Sequence, residues 1–268
     1  MNYLANDASH LYGPPLCDRA RTPDSSERMQ IDALHSSVSE ISQLLGAECP
    51  KGVADEQVFL RRRLKAGKTL YAAGQRFEGV CVVRGGFFKT SITDEAGNEQ
   101  VLGFPMKGDF CGLDGIYDDC YPSRVVALTE SEVITIPINN LATLGLESPE
   151  LKYLIYRVLS RELVREHAVL SLLGTLGAEA RVARFLIMLS ERFASLGFSP
   201  YRYNLRMTRQ EIGSYLGLTL ETVSRAFSAL KAANLIRVNQ KAIEIESVDA
   251  LRTMGTISAP PPAKPSFH

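Results

Sequence analysis

The segment Thr208 to Ser228 constrains this chain more than any other, because it spells two short helices joined by a tight glycine turn. Thr208 can accept a hydrogen bond from the backbone three residues on while Glu211 reaches back, a capping box that starts a helix. Gly217 ends it, since glycine takes the left-handed conformation that closes a helix, and Thr219 offers a second N-cap two residues later. The pattern predicts a helix-turn-helix. Leu220, Val223, Phe227 and Leu230 recur at helical spacing and are expected to bury against Ile212 and Leu216 of the first helix.

The complementary stripe of the second helix is Glu221, Ser224, Arg225 and Ser228. Arginine can bridge O6 and N7 of guanine, a carboxylate can accept from N4 of cytosine, and a hydroxyl can serve either partner, so Glu221, Ser224 and Arg225 are the candidate base readers. The alternative is an ordinary solvated helix face. The segment after the second helix favours DNA: Leu235 to Val238, a turn at Asn239-Gln240-Lys241, and Ala242 to Ile245 read as a small β-hairpin, the wing of a winged helix-turn-helix. Lys241 at its tip, Thr208, Arg209 and Gln210 at the start of the first helix, and Ser228 are the expected phosphate-backbone contacts, which position without reading sequence.

A chain of 268 residues with 45% hydrophobic content suits more than one soluble domain. No apolar run approaches the roughly 20 residues that cross a bilayer. The amino terminus shows no basic segment followed by an apolar core, so a cytoplasmic chain with no membrane partner is expected. The net charge of zero argues against a protein coated in nucleic acid, but a local basic surface suffices for a site-specific regulator.

Five regions are expected. Residues 1–50 form a partly disordered leader rich in proline and charge, with a short helix where Ile31, Leu34, Val38, Ile41 and Leu44-Leu45 recur. Residues 51–145 carry short apolar runs between glycines: Val80 to Val83, Phe87 to Ile92, Val101 to Phe104, Val125 to Leu128 and Val133 to Ile136, with Pro137 ending the last. Such spacing predicts a β jelly roll. Residues 146–174 form a long helix with Ser148 as cap and Pro149 in its first turn. Its Leu151, Leu154, Ile155, Val158 and Leu159 are the candidate dimerisation residues. Gly174 and Gly177 lead into a DNA-binding region at 175–254, followed by a flexible tail at 255–268. The fold class is therefore α+β.

A glycine-spaced barrel containing Leu64 to Tyr71 and Gly108-Asp109-Phe110, a long helix, then Met207 to Gly213 and Leu220 to Arg225, together resemble the Crp-Fnr family of bacterial transcription regulators over about residues 57 to 254. The Fnr branch is nearer, because it carries Glu, Ser and Arg where this chain has Glu221, Ser224 and Arg225, whereas the cyclic-AMP receptor branch has an arginine where Leu220 stands. The resemblance implies a cyclic-nucleotide-binding-like barrel and a homodimer on a palindrome of TTGAT-like half-sites, acting with RNA polymerase. A possible effector pocket would draw on Gly108, Asp109, Phe110, Ser123 and Arg124.

Neither sensor of the family is expected. The cyclic-AMP branch grips phosphate with an Arg-Ser pair, but Pro122-Ser123 stands there, and Arg124, one residue late on a strand, points to the opposite face. The Fnr branch holds an iron-sulfur cluster with three closely spaced amino-terminal cysteines and one in the barrel. Here Cys17, Cys49, Cys81, Cys111 and Cys120 form no Cys-x-x-Cys pair, and Ile134 stands at the barrel ligand's position, short of the four thiolates a cluster takes. Cys81 reads as a buried small hydrophobe; Cys111 and Cys120 flank a loop where oxidants could reach them.

Two other classes compete with a regulator. A jelly-roll metalloenzyme needs histidines converging in the barrel, but His10, His35, His167 and His268 all lie outside it, and no nucleophile elbow or phosphate loop is present. Asp118-Asp119 reads as a solvated pair. An interaction module that has lost DNA affinity is disfavoured by the intact Glu221, Ser224 and Arg225. No catalytic residue and no metal site is expected.

Overall fold

The computed structural model describes residues 35–46, 58–140 and 149–254, the side chains of 149–151 and 175 excepted. The chain divides into two compact units, one up to Arg161 and one from Glu162 onward.

The first unit begins with strand β1 (His35–Ser37) and helix α1 (Val38–Leu44). Strands follow as β2 (Val58–Leu64), β3 (Thr69–Tyr71), β4 (Gly79–Gly85), β5 (Phe88–Thr93) and β6 (Glu99–Gly103). They continue as β7 (Phe110–Cys111), β8 (Arg124–Ala127) and β9 (Ser131–Pro137). Two antiparallel sheets result, ordered β1-β2-β9-β4-β7 and β3-β8-β5-β6, as in a jelly roll. β4 sits inside the first sheet, and its unbroken apolar run Val80 to Val83 is buried throughout, as a strand covered on both faces requires. The expected strands fall within a residue or two of those observed, and β9 ends at Pro137.

The amino-terminal helix is shorter than the sequence pattern suggests. It starts at Val38 because the Ser37 hydroxyl accepts from Glu40 N at 3.3 Å, and it buries Val38, Ile41 and Ser42; Ile31 and Leu34 lie outside the described residues.

Helix α2 (Pro149–Thr175) begins in the first unit and ends in the second, so Gly174 lies within a helix and the break comes at Gly177, which caps helix α3 (Ala178–Ser195). The second unit continues with β10 (Arg202–Asn204), α4 (Arg209–Leu216), α5 (Leu220–Ala232), β11 (Ile236–Asn239), β12 (Ala242–Ile245) and α6 (Val248–Met254). α3 packs on α5 and α6 through a buried face of Val182, Phe185, Leu186 and Leu189. The wing is a three-stranded sheet, β10-β12-β11, because β10 adds to the outside of the expected hairpin. Tyr203 anchors β10 by donating its hydroxyl to Leu186 O at 2.8 Å. Among the described residues no helix is long and apolar enough to cross a membrane.

Ion pairs hold α1 to the first sheet. The Glu40 carboxylate accepts from Arg61 on β2 and from Arg84 Nε on β4 at 2.7 Å, and Arg84 Nη1 donates to Glu132 on β9 at 2.7 Å. Burial pushes the Glu40 carboxyl up, but hydrogen bonds from Arg84 and Arg61 and the charge of Arg61 outweigh it, so its pKa lies below the ordinary 4.5. A carboxyl depressed in the folded state stabilises above its unfolded pKa, and that stability is lost as pH falls through the folded value. Glu40→Gln should therefore melt below the parent protein at neutral pH, with the difference closing at pH values under 4.5, as read by calorimetry.

Candidate nucleic-acid interface

The capping box forms as the sequence dictates. Thr208 Oγ1 accepts from Glu211 N at 3.1 Å, while Glu211 Oε2 accepts from Thr208 N at 2.7 Å and from its hydroxyl at 3.0 Å. Gly217 closes α4 with φ of 61°, and Thr219 caps α5 by accepting from Thr222 N at 3.2 Å. The turn is tight enough that a Cβ added at Gly213 would stand 2.6 Å from Leu218 O. Glycine at 213 is thus what lets the turn fold back onto α4, a role that an isolated glycine inside a helical pattern hints at without specifying.

α5 buries Val223, Ala226, Phe227 and Leu230 and leaves Glu221, Ser224, Arg225 and Ser228 exposed. Each exposed side chain rests on its own helix. Ser224 Oγ donates to Leu220 O at 2.9 Å, Ser228 Oγ to Ser224 O at 3.1 Å, and Arg225 Nη2 to Thr222 Oγ1 at 3.3 Å. The Glu221 carboxyl lies below its ordinary pKa because it accepts from its own backbone and from Thr219, with Arg225 adding a favourable charge, so it is a ready acceptor at neutral pH. Gln210 and Lys241 are exposed, Lys241 at the β11–β12 turn.

Three expected placements differ. Leu220 is 45% exposed rather than buried, because it is the first residue of α5 and the apolar stripe begins at Val223. Arg209 does not project outward: its guanidinium carbon lies 3.1 Å from the Phe227 ring centroid. Burial pushes the Arg209 pKa down to about 10, so it remains charged at neutral pH, held by the ring face rather than by solvent. The Thr208 hydroxyl is already committed as both donor and acceptor to Glu211.

The carboxy-terminal part, residues 180–254, matches the model of the Crp-like helix-turn-helix domain, and residues 61–147 match the cyclic nucleotide-binding domain. The chain is 40% identical over 231 residues to the transcriptional regulatory protein btr of Bordetella pertussis, covering 83% of this chain and 94% of that protein. It is 38% identical over 197 residues to the fumarate and nitrate reduction regulatory protein of Escherichia coli K12, covering 74% and 79%. Among solved structures it resembles FixK2 from Bradyrhizobium japonicum at a TM-score of 0.69 and 25% identity, covering 76% of this chain and all of that one. The chain belongs to the Crp-Fnr family. Its second unit is the family's DNA-binding module, and the protein is a DNA-binding transcription regulator.

The barrel of this Crp-Fnr regulator does not gather the residues of a nucleotide site. Asp109 is buried, but its carboxylate accepts from Met106 N at 2.8 Å, so Gly108-Asp109-Phe110 is a self-satisfied turn feeding β7. Ser123 is buried and donates to Asp114 Oδ2 at 2.7 Å, whereas Arg124 is exposed and donates to Thr69 Oγ1 at 3.0 Å. Ser123 precedes β8 and is buried, whereas Arg124 opens the strand and faces solvent. Beside Asp114, Tyr71 and Tyr121 stack with ring centroids 3.9 Å apart, both nearly wholly buried. This part of the barrel offers a phosphate a carboxylate and aromatic rings rather than a cation, so the residues present do not fit a cyclic nucleotide.

Among the described residues the thiolates that the family's iron-sulfur cluster would take do not converge either. Ile134 is fully buried in the core at the expected ligand position, and among the described residues no group of three or more His, Cys, Asp or Glu converges. Cys81, Cys111 and Cys120 are all buried thiols; Cys111 pairs opposite Cys81 in the β4–β7 ladder, and neither Cys111 nor Cys120 has the open loop setting that the sequence suggests. Cys17 and Cys49 lie outside the described residues.

The dimer residues also resolve differently. Leu154, Ile155, Val158 and Leu159 line a cleft against the barrel, and the side chain of Leu151 lies outside the described residues. The apolar residues that α2 leaves exposed include Tyr153, Tyr156, Leu163 and Leu170, at helical spacings of three, seven and seven. The apolar stripe is wide enough for two faces, one of which lines the cleft against the barrel.

Gly213→Ala should lower the melting temperature of the protein by an amount equivalent to about 1–3 kcal/mol, the usual cost of forcing an extra methyl into a packed contact. Calorimetry checks it, with Ser214→Ala on the neighbouring position as the mild control.

Proposed function

We propose that the protein is a homodimer that reads a TTGAT-like palindrome through α5, recruits or blocks RNA polymerase, and is modulated through its jelly-roll domain. The observation that carries this reading is the exposed set Glu221, Ser224 and Arg225 on a helix whose opposite stripe is entirely buried. Each of these side chains is hydrogen-bonded only to its own helix or carries a ready acceptor, so each can swing to a base edge by exchanging one bond for another. Leu220, exposed next to them, supplies an apolar surface of the kind that packs on a thymine methyl.

Gln210 and Lys241 are the backbone contacts of this reading, with Ser228 at the far end of the exposed stripe. Arg209 serves instead as the support under Phe227, and Thr208 acts through its backbone and cap. Dimerisation falls to Tyr153, Tyr156, Leu163 and Leu170, which supply an apolar seam for a second copy; two α5 helices about 34 Å apart would then engage successive major grooves. The cytoplasm is where such a regulator meets the chromosome.

A mobility-shift series on a TTGAT-like palindrome tests the reading. Arg225→Ala should cost about 1–3 kcal/mol at one base position of each half-site and relax discrimination there, while Lys241→Ala should weaken all duplexes alike and flatten the salt dependence. Equal binding of a scrambled duplex by the parent protein would refute sequence-specific reading. Paired Leu163→Glu and Leu170→Glu substitutions should convert a dimer into a monomer in sedimentation velocity, with DNA affinity falling in step.

A further inference from the structure

The first unit holds a cleft between α1, the barrel and α2. Its empty space is about 650 Å³, part of that volume open to solvent. One wall is α1, through Ile41 and Ser42; the floor is the barrel, through Val80 and Ile136; the other wall is α2, through Leu154 and Val158. Ile116 and Leu159, each more than a third exposed, mark its mouth. Of the residues the family resemblance would give a nucleotide, Phe110 lines it, whereas Gly108, Asp109, Ser123 and Arg124 do not.

Every side chain of the lining is apolar except Ser42. That serine is completely buried, and its Oγ has no hydrogen-bond partner. A hydroxyl can donate one hydrogen bond and accept two, and leaving it unmade in a dry site is unfavourable. A helix position that only had to fill space would be served better by alanine. No charged group faces the cleft: Glu40, the acid on α1, is turned onto Arg61 and Arg84, and Arg161 on α2 donates to Gly108 O at 2.9 Å. An ion entering it would be desolvated without a counter-charge.

We propose that this cleft binds a neutral, mainly apolar small molecule carrying one hydrogen-bonding group, which pairs with Ser42 Oγ while its apolar body packs between α1 and α2. Occupancy would join those two helices through the ligand, α1 being fixed to the sheet by Glu40. Such binding is independent of what α5 reads, and it can be tested without DNA.

The probes are 4-butylphenol, and n-butylbenzene, which has the same apolar body without the hydroxyl. Binding to the full chain is read by displacement of the neutral fluorophore 1-aminoanthracene and by calorimetric titration. The phenol should bind about three- to tenfold more tightly than the hydrocarbon, the range for one hydrogen bond. Ser42→Ala should shrink that preference to less than about twofold while retaining hydrocarbon binding, since only the polar partner is lost. Ile155→Trp, which fills the cleft from the half-buried side of α2, should abolish displacement by both probes while the melting transition persists. Absence of binding by the parent protein up to probe solubility, equal affinity for phenol and hydrocarbon, or full binding by a folded Ile155→Trp protein would each overturn the proposal.

Discussion

A single guanidinium, that of Arg181 in α3, fixes the geometry on which the DNA-binding unit depends. Its Nε donates to Leu176 O at 2.8 Å, its Nη2 to Leu173 O at 2.7 Å, and its Nη1 to Leu216 O at 3.0 Å. Leu173 and Leu176 lie at the end of α2, and Leu216 is the last residue of α4. The final carbonyls of a helix have no partners within it and carry the negative end of its dipole, so one cation satisfies and neutralises two helix ends together. Charge-assisted bonds of this kind contribute about 1.5–3 kcal/mol each. Only a planar fork can make the three from one side chain, which a lysine ammonium at the end of a flexible stem cannot match. The position of α4, and through Gly213 and Leu218 that of α5, is inherited from this contact.

Inside the barrel the protein stacks Tyr71 on Tyr121 and pairs Ser123 with Asp114. Burial pushes the Asp114 carboxyl upward, a shift only partly offset by the hydrogen bond from Ser123. A site that already strains to keep one negative charge is unsuited to a second. The cleft of the first unit lies instead at the apolar junction of α1, the barrel and α2.

Local chemistry is legible in the chain, and long-range competition is not. Thr208, Glu211, Gly217 and Thr219 announce their helices because a cap is decided within three or four residues. Alternation and glycine punctuation likewise place β4, β5, β6, β8 and β9 to within a residue or two. The three-residue strands β1 and β10 escape, since nothing in His35–Ser37 or Arg202–Asn204 favours extension until a neighbour offers a ladder. Arg209 misleads because an arginine beside a helix start has the right chemistry for a phosphate, and only the tertiary fold brings the Phe227 ring beneath it. The stripe on α2 is ambiguous for a related reason: Leu154 to Leu159 and Tyr153 to Leu170 are both apolar, and periodicity cannot say which face lies against the barrel.

The short strand β1 covers more than its length suggests. It pairs with Val58, Phe59 and Leu60, the apolar start of β2, and leaves that border of the sheet open only beyond them, where the residues are Arg61, Arg62 and Arg63. An unpaired strand border is a template for sticking to other chains, and natural proteins guard it by covering it or by charging it. This one does both, dividing the border at Leu60. The amino-terminal segment is therefore a guard of colloidal behaviour as much as a wall of the cleft, and trimming the chain past Ser37 would create an adhesive edge on a barrel that is otherwise folded.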